Sequence, residues 1–185
     1  MCMLVILSGV SGVGKNTIIQ KLLDKHDNVH FFKSATTRPP RPGETIYDFM
    51  SAEEFKEKSE AGAFFEIEDS HGFWYATQFK ELNRIESNPN EIFIKDIEVH
   101  GAEKLKEYFK GKIDVVMFFI DAPDDVLVER LRGRGESEDR IQVRLSRGVM
   151  ERLYKDSYDM VIENYDLEDT VSKIENYIFP RLNKK

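Results

Sequence analysis

Seven consecutive residues, Gly9-Val10-Ser11-Gly12-Val13-Gly14-Lys15, place two glycines five apart with a lysine directly after the second. A backbone that curls successive N–H groups around a phosphate needs residues free of Cβ clashes. A helix that follows adds the positive end of its dipole. Lysine then supplies a point charge for the outer phosphate oxygens of a nucleoside triphosphate. The next position of this motif takes a Ser or Thr hydroxyl for Mg²⁺. Asn16 stands there instead, with an amide oxygen that a hard cation accepts directly or through water, and the Thr17 hydroxyl is the alternative. A plain glycine turn between strand and helix is the competing reading, disfavoured by the buried strand before the loop and the helix after it.

Other residues point to anions as well. Ser34-Ala35-Thr36-Thr37-Arg38-Pro39-Pro40-Arg41-Pro42-Gly43-Glu44 spaces two arginines three apart on a proline-stiffened backbone. Guanidinium groups match phosphate oxygens bidentately, and a pre-set loop loses less entropy on binding. Alone, this stretch would read as a solvated loop. Arg130 to Arg147 encloses Arg132, Arg134, Arg140 and Arg144, a segment suited to an anionic partner. The competing reading is a cationic face balanced by Glu136, Glu138 and Asp139. Asp96 and Glu98 follow an apolar run, where carboxylates at the carboxyl end of a parallel strand project into a ligand crevice.

Elements of a recognisable kind must position these groups. Met3–Leu7 is an unbroken apolar run of strand length, and Ile18, Ile19, Leu22 and Leu23 then recur at helical spacing. Ile92–Ile97 and Val115–Ile120 repeat the buried strand, each followed by a helical pattern, Val99–Phe109 and Asp124–Leu131. Met160–Ile162 and Leu167–Tyr177 form another such pair. Repeated strand-then-helix units imply an α/β fold, a parallel sheet covered by helices. Ser34–Thr77 breaks the rhythm with a helix near Glu53–Ala61 and short aromatic segments at Phe64–Ile67 and Phe73–Tyr75, and reads as an inserted lobe. The mixed-charge run Glu136–Arg140 reads as a mobile surface segment.

Composition narrows the class. At 185 residues, 41% hydrophobic and 33% charged, the chain suits one soluble domain that buries its core without metals or disulfides. Its 27 basic and 34 acidic residues leave a net charge of −7, so no overall positive field draws in nucleic acid or an anionic membrane. A small anionic ligand needs only a local cluster of cations. The single cysteine, Cys2, excludes an intrachain disulfide and a cysteine-based zinc site, making the cytoplasm the expected compartment. Met1–Leu7 lacks a basic leader and runs straight into Ser8-Gly9, so no export or membrane segment is expected.

The phosphate loop followed by Ser-Ala-Thr-Thr-Arg-x-Pro-Arg-x-Gly-Glu resembles the guanylate kinases, and the resemblance continues in five ordered blocks over nearly the whole chain. It implies that Ser34, Arg38, Arg41 and Tyr47 hold the phosphate of GMP, Tyr47 lying in a loop shorter than is usual. Glu66-Ile67-Glu68-Asp69-Ser70-His71-Gly72-Phe73-Trp74-Tyr75-Ala76-Thr77 matches the next block. There Glu66 falls on the guanine-reading carboxylate, Tyr75 on a phosphate-binding hydroxyl and Thr77 on a base-contacting hydroxyl. The chemistry agrees, since guanine offers two adjacent donors and adenine would set an acceptor against the carboxylate. Ile67 replaces the usual Trp and Ala76 the usual Gly, which implies a modest change of pocket shape. Glu68 and Asp69 compete for the Glu66 role but read as solvated.

Asp96-Ile97-Glu98-Val99-His100-Gly101 resembles the family's Asp-Ile-Asp-x-Gln-Gly. Asp96 is implied in water-mediated Mg²⁺ support or nucleotide contact and Glu98 on the base side, while His100 reads as a helix-start or packing residue and not as a catalyst. Arg134 and Arg144 fall on the lid arginines that contact ATP and the migrating phosphoryl. Their separation is one residue shorter than is common, which leaves Arg140 or Arg147 able to share the work. Val161-Ile162-Glu163-Asn164-Tyr165 puts Asn164 near the adenosine of ATP; Tyr165 departs from the pattern.

The resemblance thus implies a P-loop core at about 1–33, 90–125 and 150–185, a GMP-binding lobe at about 34–89 and a helical lid at about 126–149. The implied reaction is ATP + GMP to ADP + GDP, with dGMP as a further acceptor, in purine nucleotide metabolism. The attacking phosphate oxygen is already anionic, so no general base is required. Lys15, Arg38, Arg41, Arg134, Arg144 and Mg²⁺ would align the two polyanions and cancel their repulsion, with lobe and lid closing to exclude water. Monomer and homodimer both remain open. Two alternatives differ in class: a guanylate-kinase-like protein-interaction domain, which would have little reason to keep Gly14-Lys15, and a kinase of another phosphorylated acceptor, which would have little use for Glu66.

Overall fold

Apolar runs of strand length assemble into a parallel sheet in the computed structural model, which describes residues 2–40, 43–70 and 72–182. The chain divides into two compact units, Met1–His30 with Asn90–Lys185, and Phe31–Pro89.

The five-stranded sheet, which belongs to the first unit except for Phe31 at the end of β2, is built from β1 (Met3–Gly9), β2 (Val29–Phe31), β7 (Ile92–Asp96), β8 (Asp114–Asp121) and β9 (Met160–Glu163), in the order β2-β7-β1-β8-β9. β1 lies at the centre, parallel to β7 and β8, and every one of its residues is buried. That double-sided burial explains why its sequence is a continuous apolar run and not an alternating one. The helices are α1 (Lys15–Lys25), α4 (Val99–Phe109), α5 (Asp124–Gly133), α6 (Glu138–Arg152) and α7 (Leu167–Leu182). Each expected strand-helix pair is present. β1 runs two residues past Leu7, β7 stops at Asp96, and α7 continues beyond Tyr177 to Leu182.

One local expectation changes. Glu138–Arg140 is the first turn of α6, and the run carries defined ion pairs: Glu138 with Arg132 at 2.6 Å and Glu136 with Arg144 at 2.9 Å. Glu138 and Asp139 suit a helix amino end, where the dipole favours negative charge. At its other end α6 is tied to the sheet, because Arg152 donates to both oxygens of buried Asp121 at 3.0 and 3.1 Å and to the Ala122 carbonyl.

The second unit has a four-stranded sheet in the order β4-β3-β6-β5, from β3 (Ser34–Thr36), β4 (Asp48–Phe49), β5 (Phe64–Ser70) and β6 (Phe73–Gln78). Helix α2 (Ala52–Glu60) starts with a capping box, Ser51 accepting from the Glu54 N–H while the Glu54 carboxylate accepts from the Ser51 N–H. Its Phe55 packs with Ala35, Ala76, Met50 and Phe64 to form the unit's core on one face of the sheet. Helix α3 (Phe79–Glu86) follows β6 directly. Among the described residues, no helix is long and apolar enough to cross a membrane.

Candidate active site

The glycine-rich turn joins β1 to α1 at the carboxyl edge of the parallel sheet, where strand-to-helix loops form a ligand crevice. Gly9 is required by close approach: at φ 137° an added Cβ would lie 1.9 Å from the Ile120 carbonyl oxygen on β8. Gly14 turns the chain into α1 at φ 102°, a conformation that side chains rarely adopt. Lys15 opens the helix and folds back over the loop. Its Nζ donates to the Gly9 carbonyl at 2.6 Å and lies 3.9 Å from Asp96 Oδ1. Asn16 and Thr17, the two metal-ligand alternatives, are both exposed on the first turn of α1.

Three elements bring charge to this loop. From β7 comes Asp96, whose carboxyl is pushed above its usual range by burial, against the pull of Lys15 and Lys95. Glu98 sits half-buried at the amino cap of α4. From α6, Arg144 donates to the Ser11 hydroxyl while Glu136 holds its other nitrogen. Glu151, about two turns further along the same face of α6, was not anticipated. Burial pushes its carboxyl up to about 7, with Lys15 opposing and Glu98 and Asp96 reinforcing, and its Oε2 has no hydrogen-bond partner. Nothing in the local sequence marks it, since a glutamate on a charged helix usually faces water.

Of the arginines expected in the lid, Arg144 reaches the loop, while Arg134 caps α5 with its side chain exposed. Arg140 and Arg147 are also exposed. Arg130 has a role that composition could not show: its guanidinium donates to the Val13 carbonyl at 3.2 Å and the Asn164 carbonyl at 2.7 Å. Asn164 itself is 4% exposed and sits against the loop, donating to Val13 at 2.7 Å. Tyr165, the adjacent departure from the family pattern, is 61% exposed. His100 packs edge-on against Tyr154 at 5.0 Å.

In the second unit, strand register decides which side chains share a surface. Ser34 and Thr77 are opposed, as are Thr36 and Tyr75, while across β5 and β6 Glu66 faces Thr77 and Glu68 faces Tyr75. Directly opposed residues lie on the same face. Ser34, Thr36, Glu66, Glu68, Tyr75 and Thr77 therefore line one face. Ala35, Ile67, Asp69, Trp74 and Ala76 belong to the other, where the Phe55 core packs. The replacements at Ile67 and Ala76 thus fall on the back of the sheet, on the face opposite Glu66 and Thr77. Asp69 is also on the back, whereas Glu68 shares the Glu66 face and is half-buried.

Arg38 leaves the end of β3 and is held in one orientation. Its Nε donates to the Tyr75 hydroxyl at 3.1 Å, one terminal nitrogen to both Glu44 oxygens at 2.8 and 2.9 Å, and the other to the Pro39 carbonyl. The guanidinium carbon lies 5.5 Å from the Tyr47 ring centre, and Tyr47 meets Tyr75 edge-on at 6.0 Å. Arg38, Tyr47 and Tyr75 are thus together, with Glu44 as the counter-charge that keeps Arg38 in place. Arg41 lies outside the described residues. Among the described residues, no three His, Cys, Asp or Glu side chains cluster to hold a metal ion.

The two units together carry a phosphate loop with cations around it and a polar sheet face with an oriented arginine. Comparison with known proteins matches both. A guanylate kinase from Nostoc sp. is 36% identical over 181 residues, covering 95% of this chain and 89% of its own length. One from Chlorobium luteolum is 35% identical, covering 92% and 88%. The crystal structure of guanylate kinase from Anaplasma phagocytophilum superposes with a TM-score of 0.74 at 28% identity, covering all of this chain and 87% of that one. The guanylate kinase family model matches residues 1–181, both units included, and the chain belongs to the guanylate kinase family of nucleoside monophosphate kinases.

Proposed function

We propose that this chain transfers the γ-phosphoryl group of ATP to GMP, giving ADP and GDP, with the acceptor on the polar face of β3, β5 and β6 and the donor on the glycine loop. The observation that carries the reading is that strand register gathers Ser34, Glu66, Tyr75 and Thr77 on one face, beside an Arg38 already oriented by Tyr75 and Glu44. A carboxylate and a hydroxyl beside each other suit the donor edge of guanine, and an arginine flanked by tyrosines suits its phosphate. Lys15 and Arg144 would stand at the outer phosphates of ATP, and Arg134 would join them on the transferring group.

Mg²⁺ fits the residues present as an ion carried by the phosphates and water. The protein offers Asn16 or Thr17 and, through water, Asp96, in place of a closed carboxylate cage. Those side chains would hold it, and the chemistry it would supply is positive charge against the phosphate oxygens. The protein's own part is positioning and cancelling charge, because an anionic phosphate oxygen attacks without a base. The retained Gly14-Lys15 and the loop arginines leave a purely protein-binding role without support. The setting we infer is purine nucleotide metabolism in the cytoplasm.

A coupled assay of ADP release with ATP and, in turn, GMP, dGMP, AMP, CMP and UMP tests the reading. The expected result is turnover with GMP far above the adenine and pyrimidine acceptors. Equal rates with AMP would overturn it.

A further inference from the structure

Asn164 is a residue whose family position suggests the adenosine side of ATP, yet both polar ends of its side chain are used inside the protein. Its Nδ2 donates to the Val13 carbonyl at 2.7 Å, and its Oδ1 accepts from the Thr170 hydroxyl at 2.9 Å. The carbonyl can only accept, so the amide nitrogen must be the atom that faces Val13. Asn164 is 4% exposed and Thr170 fully buried. Arg130 completes the arrangement by donating to the same Val13 carbonyl and to the Asn164 backbone carbonyl.

Val13 precedes Gly14 in the phosphate loop, and the peptide between them is planar and trans. A carbonyl and the N–H of the following residue then point to opposite sides. With the Val13 carbonyl held by two donors, the Gly14 N–H is fixed on the opposite side of the peptide, away from Asn164 and Arg130 and free to donate to a phosphate oxygen. The Asn164 Nδ2 also stands 3.0 Å from where a Gly14 Cβ would be, so the side chain rests directly on this peptide.

We propose that Asn164, oriented by Thr170, is a positioning residue for the phosphate loop: it sets the Val13–Gly14 peptide for phosphate binding and does not read the adenine base. This rests on the kinase reading only in assigning ATP to the loop. Loss of Asn164 then weakens any triphosphate, whatever base it carries. Loss of the Thr170 hydroxyl acts in the same direction without removing any group that a base could touch.

The test is calorimetric titration of ATP, GTP and base-free tripolyphosphate into wild type, Asn164→Ala, Thr170→Val and Thr170→Ser, beside thermal melts that confirm folding. The expected result is that Asn164→Ala and Thr170→Val weaken all three ligands by one common factor, about three- to tenfold as for a neutral hydrogen bond. Thr170→Ser, which keeps the hydroxyl, stays within about twofold of wild type. A merely structural role would lower the melting temperature and leave these affinities unmoved, which would overturn the proposal. So would an Asn164→Ala variant that loses ATP affinity selectively. If Asn164→Ala does not fold, Thr170→Val decides alone. Because binding is read without turnover, failure to phosphorylate GMP would count against the kinase reading and leave this comparison intact.

Discussion

Guanine presents two neighbouring N–H donors, and a carboxylate accepts both at once. Glu66 lies opposite buried Thr77 on the polar face of its sheet, which sets a hydroxyl beside the carboxylate. Glu66→Gln keeps the size but turns one acceptor into a donor facing a donor, and removes the charge. Hydrogen bonds to charged groups contribute about 1.5–3 kcal/mol, so kcat/KM for GMP should fall about ten- to a hundredfold while the KM for ATP stays nearly constant. Steady-state kinetics with both substrates varied checks this. Glu68→Gln is the informative partner, since Glu68 shares the face and opposes Tyr75. Full GMP kinetics in Glu66→Gln with the loss in Glu68→Gln would make Glu68 the reader.

At the scale of elements, the phosphate loop depends on how closely β1 approaches β8. Gly9 pairs with Ile120 in the parallel register, and a Cβ there would sit inside the Ile120 carbonyl group. The obstacle is backbone in a fully buried sheet, so it cannot rotate away as a side chain would. Gly9→Ala should therefore cost about 4 kcal/mol or more, or prevent folding, as severe buried clashes do. Gly43→Ala is the control: its φ is also positive, at 76° against 137° for Gly9, but nothing lies within 4 Å, so only the backbone conformation resists, at about 1–2 kcal/mol. Urea unfolding of both variants measures the contrast, and a Gly9→Ala protein as stable as Gly43→Ala would show that the strands can separate there.

For the molecule as a whole, the group around Lys15 makes stability depend on pH. Glu151 is raised from 4.5 to about 7 by burial first, with Glu98 and Asp96 adding to it and Lys15 and Arg147 opposing. Between those two values the folded protein holds a proton that the unfolded chain has released. The contribution of protonated Glu151 is thus fully present below pH 4.5 and is lost as pH rises through about 7. Converted, it amounts to on the order of 3 kcal/mol. Glu151→Gln, always neutral, should melt above wild type at pH 8, with the difference closing toward pH 4.5, when nucleotide-free protein is scanned across that range. A constant offset at every pH would mean that the Glu151 carboxyl titrates normally.

What could be read from the residues alone was what is local or periodic. A phosphate loop is made by consecutive backbone groups, so its glycines and lysine announce it, and buried parallel strands announce themselves as unbroken apolar runs. The polar face of the second unit was half legible: alternation separates Glu66 from Ile67, but which strand faces which depends on the β5–β6 pairing and the irregularity between Phe64 and Glu66. Contacts across long sequence separations were not legible at all. Asn164 meets Val13 from 151 residues away and Arg144 meets Ser11 from 133. Composition offered Glu136 as a balancing acid but not Arg144 as its partner, and it gave no sign that Glu151 would be half-buried within the field of the loop lysine. A side chain's partner, and the energy of its charge, are set by what the fold packs against it, and only the tertiary structure decides that.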